Sequence, residues 1–285
     1  MPKAQRGEAA TKVASAPRGR RATTGNLPGR RGNQRTAVLK TTAAHPSAKK
    51  QFQRVVLKIS GEGFGPPGGL GIDGSAIRRI GEEIVSVSRL GVQVAVVVGG
   101  GNFVRGTVLA SKVGLQEATA HYMGMLATVI NALALQDVLE DLGQSTRVQS
   151  SISITSACEI FIRRRCIRHL EKGRVVILAA GTGRPFVTTD TAAALAAVEI
   201  MADILFKATT VDGVYTADPK KDPAAQFLPR LSYNEVIDQR LKVMDVSAVD
   251  MCQRYGVPIN VFSLATAGNM KLAVQGRCIG TLIGE

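Results

Sequence analysis

The sequence predicts an α/β fold with a largely parallel sheet and helices on both of its faces. Three observations carry that expectation. Residues 92–98 (Val-Gln-Val-Ala-Val-Val-Val) and 174–180 (Arg-Val-Val-Ile-Leu-Ala-Ala) are short, mainly apolar runs rich in β-branched residues. Runs of that length and composition read as strands buried on both faces. Such runs alternate with longer segments of helical period, the pattern of strand–helix–strand units. Glycine-rich or polar loops follow three of them, and in a parallel sheet the loops at strand carboxyl ends gather along one edge.

In chain order, structure is expected to begin near Phe52. Residues 54–60 read as a strand with Lys58 near its end. Residues 61–71 form a loop holding six glycines and two prolines. Within it, Gly63, Gly65 and Gly68 match the GxGxxG spacing of a dinucleotide site. That reading needs a helix starting inside the motif, whereas Pro66 and Pro67 are followed by two more glycines and no helical period begins before Asp73. Asp73 is an N-cap candidate. Ile77, Ile80, Ile84, Val85 and Val87 then give a helical stripe towards Leu90, and Gly91 ends it. The strand 92–98 runs straight into Gly99, Gly100 and Gly101, with Asn102 and Arg105 beside them. Bare backbone N–H groups plus a guanidinium suit phosphate; a tight strand–loop turn is the plainer alternative.

A long helix is predicted over 116–142, with Met123, Leu126, Ile130, Leu133 and Val138 repeating near 3.6 and Gly143 as its stop. A short strand at 147–150 and a weaker helical pattern over 157–171 follow. The strand 174–180 leads into the loop 181–190 (Gly-Thr-Gly-Arg-Pro-Phe-Val-Thr-Thr-Asp) and an alanine-rich helix over 191–201. Strand 203–207 precedes a punctuated loop, 211–223, in which Asp212 reads as a turn former before Gly213. Ser232 and Glu235 have the spacing of a capping box. A helix ending at Gly256, a strand at 258–262, a helix at 269–274 and a strand at 278–283 close the chain.

Charge separates the chain into two parts. The net charge is +14 over 285 residues, but residues 1–50 hold twelve Lys or Arg against Glu8 alone. The remaining 24 basic and 21 acidic residues leave the body nearly neutral. The boundaries are therefore drawn at 1–51, a basic extension with too few large apolar residues to order itself, and 52–285, the folded domain. Arg- and Ser/Thr-rich, acid-poor composition suits an organellar transit peptide; a nucleic-acid-binding arm and a bacterial extension or misplaced start codon are the competing readings. No apolar h-region of a secretory signal is present, and no apolar run approaches the ~20 residues of a membrane span. Neither nucleic acid nor membrane is expected as a partner of the domain. Cys158, Cys166, Cys252 and Cys278 form no CxxC pair, and His45, His121 and His169 fall in no ligand pattern, so free thiols without structural zinc are expected.

The chemistry is expected where the loops gather. No GxxxxGK[ST] motif occurs. Lys58 would bring an ammonium, Arg105 a guanidinium and the glycines their N–H groups, and two of the three loops lead into helices whose N-termini favour anions. Positive groups and positioning are what phosphoryl transfer requires.

From Arg54 onward the chain resembles bacterial-type UMP kinases (uridylate kinases) of the amino acid kinase family. The matching motifs are Leu-Lys58-Ile-Ser-Gly61-Glu, Val-Val-Gly99-Gly-Gly-Asn102, Met123-Gly-Met-Leu-Ala-Thr-Val, Gly181-Thr-Gly, Thr188-Thr-Asp190 and Lys207-Ala-Thr with Val211-Asp-Gly-Val. The resemblance implies a three-layer α/β/α sandwich, a homohexamer, and transfer of the γ-phosphoryl of Mg-ATP to UMP, with Mg²⁺ carried by the phosphates. It implies catalytic roles for Lys58, Arg105 and Asp190. The ATP side would be Lys58, Ile59, Ser60, Gly61, Gly101 and Arg105, together with Thr209, Tyr215 and Asp218, Tyr215 lying against the adenine. The UMP side would be Gly100, His121 and the loop from Thr182 through Gly183, Arg184, Pro185, Phe186 and Val187 to Thr188 and Thr189. Tyr215 packing only against the protein, and Thr188 only capping its helix, are the plainer readings. GTP and UTP effectors and a plastid stroma, with bacterial cytoplasm as the alternative, are further expectations of the same kind. His121 stands where the family usually has Asp, and Arg184 and Val187 where Asn and Phe are common. A catalytically weakened nucleotide- or oxyanion-binding relative is the alternative function.

Overall fold

A computed structural model describes residues 52–104, 114–219 and 221–285. Arg105 and the basic extension lie outside the described residues. The strands are β1 (Arg54–Ile59), β2 (Gln93–Val98), β3 (Thr146–Ser150), β4 (Glu159–Ile160), β5 (Val175–Ala179), β6 (Ile204–Thr209), β7 (Val214–Tyr215), β8 (Phe227–Leu228), β9 (Arg230–Ser232), β10 (Ile259–Ser263) and β11 (Thr281–Gly284). The helices are α1 (Gly74–Ser88), α2 (Glu117–Asp141), α3 (Arg163–Glu171), α4 (Thr189–Glu199), α5 (Tyr233–Asp238), α6 (Val246–Arg254) and α7 (Asn269–Val274). Nine strands form one sheet in the order β4-β3-β5-β2-β1-β6-β10-β11-β9, and β7 pairs β8 in a separate hairpin. In the large sheet only the β10–β11 pairing is antiparallel.

The period of two along each strand divides the core into two layers. On β1, Val55, Leu57 and Ile59 face one apolar cluster, which includes side chains of α1, α2 and α7. Val56 faces the other, with side chains of α3, α4, α5 and α6. The three-layer sandwich follows. Lys58 has the parity of Val56, so its side chain belongs to the α4 side of the sheet.

The strands and long helices fall within one to three residues of expectation. Asp73 caps α1 by accepting from the Ala76 amide at 2.7 Å. The capping box forms at the start of α5: the Glu235 amide donates to Ser232 Oγ at 3.1 Å and the Ser232 amide to Glu235 Oε2 at 2.7 Å. Two expectations need correction. The 157–171 segment is helical only from Arg163, because Glu159 and Ile160 pair with β3 instead. There the Glu159 carboxylate is held by Gln149 Nε2 at 3.1 Å and by His169 Nε2 at 3.0 Å. And α2 is long and apolar enough, by those two criteria alone, to cross a bilayer. Its inner residues, among them Leu135 and Leu139, are buried in the sheet-facing cluster, while Tyr122, Leu126 and Ile130 make an exposed stripe at i, i+4 and i+8. Cys166 and Cys252 are free and buried, and burial pushes both thiols up to about 12.

Candidate active site

The site is built by strand register. In the parallel pairing of β1 with β6, Lys58 lies directly opposite Lys207, so adjacent strands present two ammonium groups on the same face. The helix that covers this face, α4, begins beside them. Thr188 is its N-cap, accepting from the Thr191 amide at 3.4 Å, and Asp190 follows in the first turn. The Asp190 carboxylate bridges the lysines: Lys58 Nζ is 2.8 Å from Oδ1 and Lys207 Nζ is 2.7 Å from Oδ2. Lys207 Nζ also donates to the Val243 carbonyl. All three side chains are at least 86% buried.

Burial alone would push the Asp190 carboxyl up, but the charges of Lys58 and Lys207 outweigh it and hold the group below the usual carboxylate range. Lys207 is held below the ordinary lysine value by burial and by the like charge of Lys58, against the pull of Asp190. The sign for stability follows from the depressed carboxyl. Its contribution is present in full above the ordinary carboxyl value of 3.8 and is lost as pH falls through the lower native value. Urea unfolding in steps below about pH 4 should therefore show a steeper loss for the native protein than for Asp190→Asn. Equal slopes would remove the ion pair from the account.

The triple glycine packs directly on the Lys58 loop. A Cβ on Gly61 would stand 2.2 Å from the Gly101 nitrogen, and one on Gly100 would stand 2.7 Å from the Gly124 carbonyl oxygen. These glycines are close-approach positions rather than flexible ones. A reciprocal amide pair fixes the loop: Asn131 Nδ2 donates to Asn102 Oδ1 at 2.7 Å, and Asn102 Nδ2 to Asn131 Oδ1 at 3.0 Å. Both are buried. Asn131 Nδ2 also reaches the Gly99 carbonyl at 2.7 Å, tying α2 to the loop.

Two cavities flank this wall. One, of about 270 Å³, is lined by Gly100, Gly101, His121, Thr182, Arg184, Val187, Thr188 and Thr189 among others. The other, of about 830 Å³, is lined by Ile59, Ser60, Gly101, Asn102, Thr209 and Leu264 among others. Gly101 belongs to both. The sequence neighbours of Lys58 and Lys207 line the larger cavity, and Thr189, next to Asp190, lines the smaller. Lys58, Gly61, Asp190 and Lys207 themselves line neither cavity, so the lysine–aspartate bridge is tied to both walls only through its chain neighbours.

Most residues expected on the UMP side line the smaller cavity. Gly183, Pro185 and Phe186 are not part of its wall. Phe186 is 65% exposed and meets the cavity only through His121, ring centroids 5.0 Å apart. Its φ of 64°, with 64° at Ala180, places two non-glycine residues of this loop in the left-handed region, strain of a kind that collects at functional sites. His121 Nε2 stands 3.6 Å from Glu117 Oε1, one turn back. Thr188 both caps α4 and lines the cavity; its hydroxyl also donates to Asp245. Tyr215 and Asp218 line neither cavity. The Tyr215 hydroxyl donates to Asp212 Oδ1 at 2.7 Å, which raises the phenol's pKa, and its ring packs edge-on to Phe227 at 5.5 Å. Asp212 is thus a partner of Tyr215 as well as a turn residue. Arg105 falls outside the described residues. Lys207, Asn131 and Asp245 were not expected in the site. A lysine in an otherwise apolar strand was the available signal for the first.

A covered parallel sheet whose carboxyl edge carries paired ammonium groups, close-packed glycine loops and two adjoining cavities defines a protein built to hold phosphorylated ligands. The model of the amino acid kinase family matches residues 53–263, and the chain belongs to that family. A uridylate kinase of Methylococcus capsulatus is 52% identical over 232 residues, covering 81% of this chain and 97% of that protein. The crystal structure of a UMP kinase from Bacillus anthracis superposes with a TM-score of 0.79 at 37% identity, covering 82% of this chain and 96% of that one. A UMP kinase from Ureaplasma parvum gives 0.76 at 34%, covering 82% and 99%.

Proposed function

We propose that the chain is a UMP kinase, transferring the γ-phosphoryl of ATP to UMP to give UDP and ADP. The observation that carries this reading is the buried Lys58–Asp190–Lys207 bridge, whose chain neighbours line two adjoining cavities. Transfer between two phosphates asks for little covalent chemistry and much charge stabilisation and positioning. The two ammonium groups, held by Asp190, would meet the charge of the moving phosphoryl. The smaller cavity would take UMP and the larger the ATP phosphates, so that the acceptor oxygen attacks in line with no covalent intermediate.

Among the described residues no group of three His, Cys, Asp or Glu side chains could hold a metal, and Asp190 is already paired. These residues fit a Mg²⁺ that arrives on the ATP phosphates, as this ion commonly does; it would neutralise part of the phosphate charge. The exposed Tyr122, Leu126 and Ile130 stripe supports an oligomer, and a hexamer is the assembly we propose; GTP and UTP as effectors belong to the same proposal. The composition of residues 1–51 supports a plastid transit peptide, which the N-terminus of the mature protein would test.

The direct test is turnover of residues 52–285 with ATP and UMP. UDP formation is expected. Uptake of ATP without UDP would mark a binder, and phosphorylation of an amino acid carboxylate would mark a sister kinase. His121 refines the test. A neutral imidazole has one acceptor nitrogen, so it serves one ribose hydroxyl where a carboxylate serves two. His121→Asp should lower the KM for UMP several-fold, about 0.5–1.5 kcal/mol, with kcat and the ATP KM nearly unchanged. A raised KM for UMP would overturn the ribose assignment.

A further inference from the structure

A third cavity, of about 230 Å³, lies behind the acceptor loop, between the sheet and α4. It shares Gly181 and Thr182 with the cavity of about 270 Å³ and is otherwise lined by different residues. Its polar lining is almost all acceptor. Gln149 is fully buried. One N–H of its Nε2 donates to Glu159, while no described protein group answers its Oε1, nor the Thr182 hydroxyl. Ser151 Oγ donates to the Gly181 carbonyl at 2.8 Å, leaving its lone pairs. Glu199 adds a carboxylate and Phe161 an aromatic ring, and the other walls are apolar side chains of β2, β5 and α4.

Only the Thr182 hydroxyl and the second Gln149 N–H can donate here, against the acceptors Gln149 Oε1, Ser151 Oγ and the Glu199 carboxylate, so a complementary ligand must itself be mainly a donor. The carboxylate and the ring both favour positive charge, and the apolar walls favour a short hydrocarbon tail. We propose that this cavity is a binding site for a primary alkylammonium, its head on Gln149 Oε1 and Glu199 and its tail along α4. Burial holds the Glu199 carboxyl above its usual range, only partly offset by Arg163, whose Nε donates to the Glu199 backbone carbonyl. A bound cation would supply the missing counter-charge. None of this depends on the kinase reading.

The test is a calorimetric titration of the full chain with n-butylammonium chloride, with 1-butanol as the uncharged isostere and KCl as a separate titrant. Saturable binding of n-butylammonium is expected, at least about tenfold tighter than 1-butanol or K⁺. Glu199→Gln should weaken it by at least about tenfold, and Leu195→Phe, which fills the cavity, should abolish it. Circular dichroism melts confirm that both variants fold. The proposal is overturned by no saturable binding at millimolar concentration, by equal binding of 1-butanol or K⁺, or by indifference to both variants. A crystal soaked in n-butylammonium that shows only water between Gln149 and Thr182 would overturn it too.

Discussion

Lys58→Ala should lower kcat for UDP formation about 30- to 1,000-fold, or about 2–4 kcal/mol of transition-state stabilisation, with a smaller change in either KM. Lys58 is only 7% exposed, so its ammonium acts in a dry setting where a fixed charge counts most. It is held by Asp190 at 2.8 Å and therefore needs little rearrangement as charge develops on the phosphoryl. The burial makes Lys58 part of the packed interior as well as of the site. Its removal leaves Asp190 with Lys207 alone, so some stability is lost along with activity. Lys207→Ala should fall in the same range, and the double variant should lose less than the two effects added, because both lysines work through one carboxylate. A coupled assay of UDP release decides the matter: an unaltered kcat for Lys58→Ala would mean the phosphate edge has been misplaced.

Gly61→Ala should destabilise the fold by about 3 kcal/mol or more, at the upper end of what overpacking costs. The added methyl would meet the backbone of Gly101 at 2.2 Å and of Gly100 at 2.8 Å, and neither can swing aside as a flexible side chain would. In a domain of this size the loss corresponds to a fall in Tm of about 6 °C or more. Gly74→Ala is the matched control. It lies in the first turn of α1, where a Cβ meets nothing within 4 Å, and alanine favours helix over glycine. Scanning calorimetry should find Gly74→Ala neutral or stabilised. Equal Tm values for the two variants would show that the loops are looser than their packing distances require.

What could be read beforehand was what depends on neighbours in sequence. Buried runs such as 93–98 and 175–179, the stripe of α1, and the caps at Asp73 and Ser232 are local patterns, and they formed. The two-residue strands β4, β7 and β8 carry no such pattern; they exist because a distant partner supplies the hydrogen bonds. The site divides the same way. Lys58, the glycines and Asp190 announce themselves by type and loop. Lys207 was visible as a charge in an apolar strand and as part of a matching motif, but its pairing with Lys58 is a matter of register between segments far apart in the chain. Asn131 is one polar residue in a long apolar helix until α2 is laid against the loop at residues 99–101. Asp245 reaches Thr188 across a separation of 57 residues.

Gly101 stands in the wall of both nucleotide cavities, locked against Gly61 on one side and fixed through Asn102 and Asn131 on the other. If UMP and ATP occupy these two cavities, a displacement of that peptide on binding one would be imposed on the site of the other. The two dissociation equilibria would then be coupled. Whatever factor bound UMP applies to the affinity for a non-hydrolysable ATP analogue, that analogue must apply to the affinity for UMP, because the four states form a closed thermodynamic cycle. Measured from either direction, the coupling constant is one number.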